Sequence, residues 1–63
     1  MITSEDKAKC AERELRMRER VYPRWIAAGK MKPQQAEHEI ETMRAIADDY
    51  RAKAQAEGAE RLI

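Results

Sequence analysis

His38 and Glu39 stand side by side in AEHEIETM, residues 36–43, and a histidine beside a glutamate on a helix is half of a zinc-hydrolase ligand set. The other half needs a second histidine four positions after the first, where this chain has Thr42. A di-iron Glu-x-x-His pair fails as well, because Gln35 occupies the carboxylate position three residues before His38. Cys10 needs a neighbouring base to act as a nucleophile, and the one histidine falls near the opposite end of the hairpin derived below. His38 is therefore read as a solvated surface residue and Cys10 as a half-buried thiol. No catalytic residue, metal ligand or cofactor is expected, and the chain is read as a non-enzyme.

More can be made of Lys9, Arg13, Arg16, Arg20 and Arg24, which recur at spacings of three and four and so share one side of a helix along roughly 22 Å. Such a ridge suits an acidic protein surface or phosphates, since arginine recognises both. The alternative is a solvated face with helical partners such as Glu12 for Arg16. The second half of the chain is acidic: Glu37, Glu41 and Asp48 interleave with Arg44 and Arg51 at helical spacing, which predicts pairing along that helix.

The elements that must position these groups are set by the stretch RVYPRWIAAGKMKP, residues 20–33. Gly29 follows a periodic apolar run and suits the left-handed position that closes a helix, with Lys30 and Lys32 beside the freed carbonyls. Pro33 suits the first position of a new helix, with Met31 packing against Ala36 across the start. The short loop favours antiparallel neighbours. Thr3 and Asp6 mark the first helix start, and Ala8, Ala11, Leu15, Tyr22, Trp25 and Ile26 form its apolar stripe. That stripe keeps phase across Pro23, which predicts one helix over about 4–28 kinked there; a break at Tyr22 is the alternative. The second helix is predicted over about 33–57, its seam carried by Ala36, Ile40, Met43, Ala47, Tyr50 and Ala54 and widened by Ile46. Gly58 is read as its end, leaving 59–63 frayed.

The fold class is thus all-α, a single-domain antiparallel hairpin spanning 1–63. Residues whose numbers sum to about 61 fall side by side, so Trp25 faces Ala36 and Tyr50 faces Ala11. Arg18 enters the seam near Met43 and requires a carboxylate such as Glu14 or Glu39. In 63 residues without phenylalanine, a core of Leu15, Tyr22, Ile40, Met43, Ile46 and Tyr50 barely offsets the ordering entropy. This predicts a homodimer that packs as a four-helix bundle.

With 40% charged residues and a mean hydropathy of −0.90 the chain contains nothing like a membrane span, and MITSEDKAKC lacks the basic-then-apolar pattern of a secretion signal. A single cysteine suits a reducing cytoplasm. A helix-turn-helix reading fails because the second helix would enter the groove with Gln34, Gln35, Glu37, Glu39 and Glu41.

Residues 13–51, RELRMRERVYPRWIAAGKMKPQQAEHEIETMRAIADDYR, resemble a family of very short proteins of tailed phages and prophages, through YPRW, the GKM turn and AIADDY. The family includes an anti-activator that binds a LuxR-type quorum-sensing regulator and has a dimeric hairpin form. The resemblance implies a cytoplasmic, non-enzymatic inhibitor of a host protein; the candidate docking residues come from the ridge itself, Arg13, Arg16, Arg20 and Arg24, with Trp25 of the YPRW element beside them. Tyr22 and Trp25 are equally read as core aromatics around the proline. A nucleic-acid accessory protein and a structural bundle component are the alternative functions.

Overall fold

Thr3 opens the first helix in an extended conformation (φ −104°, ψ 168°). Its Oγ1 accepts the Asp6 N–H at 3.1 Å, and Asp6 Oδ2 accepts the Thr3 N–H at 3.0 Å, so two of the helix's unpaired donors are satisfied at once. The same bonds, that from the Thr3 backbone first, hold the Asp6 carboxyl below its ordinary range. In this computed structural model, which describes residues 1–61 and the side chains of 1–59, α1 runs Ser4–Ala27 without interruption at Pro23. The break at Tyr22 does not occur. Tyr22 is buried and Ile26 half-buried on the same stripe, so packing on both sides of the proline offsets its lost backbone bond.

The turn closes as a Schellman motif. Gly29 N–H donates to Ile26 O at 3.0 Å and Lys30 N–H to Trp25 O at 2.8 Å, with Gly29 at φ 73°. Helix α2 then runs Pro33–Arg61, its first turn held by the Ala36 N–H on Lys32 O at 3.0 Å. The expected end at Gly58 is corrected: of the two glycines only Gly29 takes a positive φ, and α2 continues to Arg61. A lone helical glycine costs about 1 kcal/mol, which the preceding Ala52, Ala54 and Ala56 and a tie across the hairpin, Ser4 Oγ to Glu57 Oε1 at 3.0 Å, can offset. The helix thus extends to 61 over the segment where fraying was expected, and 62–63 lie outside the described residues.

The helices pack side by side in the expected register, Ser4 opposite Glu57, as a slab of 52 × 18 × 14 Å, one helix thick. No strand occurs among the described residues, and no helix there is long and apolar enough to cross a membrane. Among the described residues the buried apolar ones are Ala8, Ala11, Tyr22, Ala36 and Ala47, so four of these five are alanines that let the backbones approach closely. The large seam residues sit further out. Leu15, Ile40, Met43 and Tyr50 are only half-buried. Trp25, expected to face Ala36 in the core, is 45% exposed and lies stacked on Tyr22 at 5.5 Å; Ile46 is 39% exposed. Two cylinders in contact shield only the line between them, and these two residues stand on its shoulder.

Candidate protein-docking surface

One side of the slab is sealed by ion pairs. Glu5, Glu12 and Glu19 recur every seven residues along α1, and Arg44 and Arg51 do the same on α2. Arg51 Nη1 reaches Glu5 at 2.7 Å, while its Nε and Nη2 grip both oxygens of Glu12 at 2.9 and 2.8 Å. Arg44 Nη2 meets Glu19 at 3.1 Å. The Arg51 bond is the main reason the Glu12 carboxyl lies below its ordinary value, and Glu12 in turn raises Arg51. The expected pairing of Arg44 and Arg51 with Glu37, Glu41 and Asp48 along α2 does not occur, and Glu12, whose carboxyl the Arg16 charge lowers as a lesser cause, bonds to Arg51 instead. The seven-residue recurrence of the two rows was the signal for the cross-hairpin ladder, because heptad spacing keeps facing a neighbouring helix.

Acid should loosen this ladder. A carboxyl whose folded pKa is depressed stabilises the fold above its unfolded pKa and loses that contribution as pH falls through the folded value. Helicity and melting temperature are thus expected to hold from neutrality to just above 4.5, the ordinary value for Glu12, and to fall below it. Glu12→Gln should flatten the decline, and a wild-type melting temperature unchanged through pH 3 would count against the ladder.

The opposite side sets its large apolar groups among charged ones. Arg18 lines a shallow groove with His38, Glu39, Thr42, Met43 and Ile46, and Ile46, Asp49, Tyr50 and Lys53 line the next one. Trp25 lies seven residues beyond Arg18 and so shares its stripe. The Lys7 ammonium caps the Tyr50 ring at 5.4 Å. Arg18 finds the carboxylate it needed: Nη1 donates to Glu14 Oε2 at 2.9 Å and to Glu14 O at 3.1 Å, and the Glu14 carboxylate is the first cause of its raised pKa.

With its neighbouring acids drawn across to α2, the outer face of α1 is left cationic. Arg13, Arg16, Arg20 and Arg24 are exposed, and among the described residues none pairs with a carboxylate. Arg13 Nη2 makes a 3.6 Å contact to Cys10 Sγ, and Lys9 reaches Glu5 at 3.7 Å. Trp25 does not join this ridge; it belongs to the apolar side. Cys10, expected half-buried, is exposed on the shoulder of α1. His38 is exposed on α2, and its carbonyl accepts the Thr42 hydroxyl at 2.7 Å. Among the described residues no three His, Cys, Asp or Glu side chains gather where a metal could bind. Compared with protein-family models, curated proteins and solved structures, the chain finds no match.

Proposed function

We propose that this chain is a non-enzymatic protein-binding module that works as a homodimer and docks on the acidic surface of a partner protein through Arg13, Arg16, Arg20 and Arg24. The observation that carries this reading is the ladder of α1 glutamates on Arg44 and Arg51, which leaves four arginines on one face without carboxylate partners among the described residues. Exposed arginines aligned on a rigid helix retain their donors for a bidentate grip on a partner's carboxylates. The second copy covers the Trp25, Met43, Ile46 and Tyr50 side, because a hairpin whose core is four alanines and one tyrosine leaves its large apolar groups wet. The resemblance to short phage proteins makes a cytoplasmic host transcriptional regulator of the LuxR type the partner to test, with inhibition as the outcome.

Titrating such a regulator by isothermal calorimetry tests the docking, a readout that does not depend on Trp25, which lies off the ridge. The double charge reversal Arg16→Glu/Arg20→Glu should leave helicity and dimer mass intact, since both side chains are exposed. Binding should weaken by about 1 kcal/mol or more for each arginine that sits centrally in the interface. Equal affinity of wild type and variant would overturn the assignment. Tight binding of random DNA that decays steeply with salt, without regulator binding, would favour the nucleic-acid reading instead. The acids of α2 speak against that outcome, because Glu37, Glu41 and Asp48 have no cationic partner among the described residues and repel phosphate.

A further inference from the structure

The ladder that frees the arginines of α1 also frees a row of acids on α2, and the two rows match. Glu37, Glu41 and Asp48 are exposed and within about 40° of one another around the helix. Counting from Glu37 they fall at offsets of 0, 4 and 11 residues; counting backwards from Arg24, Arg20 and Arg13 fall at the same offsets. The fourth arginine, Arg16, meets the small Ala45, which leaves room for a long side chain to lie across the helix. An antiparallel α1 laid beside α2 therefore pairs Arg24 with Glu37, Arg20 with Glu41 and Arg13 with Asp48, in the register that Ser4 and Glu57 adopt inside the hairpin.

We infer that a second copy of this chain docks its arginine ridge on the acidic row of α2, giving a side-by-side association distinct from the apolar dimer. The two rows are different surfaces, so the contact is heterologous: each copy keeps one free ridge and one free acidic row, and addition continues unless the rotation closes a ring. The inference rests on the reading of the ridge as a protein-docking surface and deepens it, since a neighbouring copy then competes with an acidic partner for the same arginines. Because every pair is exposed, this association is weak and screened by salt, whereas the apolar dimer persists.

Sedimentation velocity of the full chain at tens of micromolar tests this. The sedimentation coefficient is expected to rise above its high-salt value as salt falls from about 0.3 M to about 0.01 M, where the screening length grows to about 30 Å. Arg20→Glu/Arg24→Glu and Glu37→Lys/Glu41→Lys should each abolish the rise, and an equimolar mixture of the two should restore it, because each then offers the charge the other lacks. A coefficient independent of salt, a rise that survives either double variant, or no recovery on mixing would each overturn the inference. Poly-glutamate as an acidic probe separates this inference from the docking function. If Glu37→Lys/Glu41→Lys binds it at least as well as wild type but does not assemble, both readings stand. If wild type assembles but does not bind it, docking on acidic partners fails alone.

Discussion

Ile46→Asp is expected to convert the dimer to a monomer and to lower helicity with it. In a lone hairpin Ile46 is 39% exposed, so a carboxylate there would stay solvated and cost about 1–2 kcal/mol in lost apolar burial. Under a second copy the same carboxylate would be desolvated beside Met43 and Tyr50, at a cost of several kcal/mol that Arg18, already held by Glu14, and Lys53, which line the same grooves, reduce. The position therefore reports the dimer more strongly than the hairpin, because most of the added cost arises only under a second copy. Because hairpin and dimer stability are linked by mass action, the variant's melting temperature should also lose its dependence on protein concentration. Sedimentation equilibrium at micromolar concentration decides the matter. A wild-type monomer, or a variant that keeps the wild-type mass, would sink the dimer.

The second large effect is expected at Tyr22. Among the described residues it is the one large side chain of the buried apolar set, 7% exposed, and it carries the Trp25 ring on its face. Truncating a buried aromatic costs about 3 kcal/mol or more, against a total of about 3–9 kcal/mol for a domain of this length. Tyr22→Ala should therefore unfold a large fraction of the chain at 25 °C, while Tyr22→Phe, which keeps the ring and the stack, should remain folded. Far-ultraviolet circular dichroism during a thermal melt distinguishes them. An alanine variant melting within a few degrees of wild type would mean that the alanine seam alone holds the helices.

If the dimer and the arginine ridge both hold, one molecule presents two ridges on a rigid frame. A partner with two acidic patches at the right separation would then be held by both at once, and monomerising variants such as Ile46→Asp should lose binding without any change in the ridge. The regulator titration can be repeated with that variant.

Local chemistry was legible from the residues alone. Thr3 and Asp6, Gly29 before two lysines, and Pro33 after a short loop each satisfy or remove particular backbone groups, so they locate helix ends without reference to anything distant. The antiparallel register followed from the short turn, and the need of Arg18 for a carboxylate followed from its place in the seam. Gly58 misled because a glycine ends a helix only when it adopts a positive φ, and its neighbours here favour continuation.

What only the tertiary structure decided is the partnering of charges and the ranking of apolar groups. A glutamate on an exposed helix can reach an arginine along its own helix or one across a seam, and the heptad recurrence of the two rows points to the second only once the helices are known to lie close. Close approach on Ala8, Ala11, Ala36 and Ala47 brings Glu5, Glu12 and Glu19 within hydrogen-bonding distance of Arg51 and Arg44, and the bidentate grip there outcompetes flexible pairs along either helix. That same closeness leaves no width between the helices for Trp25 and Ile46, so small residues take the core and large ones its shoulder. The periodicity placed all of them on one stripe; the separation of the two axes, which no single helix encodes, sorted them.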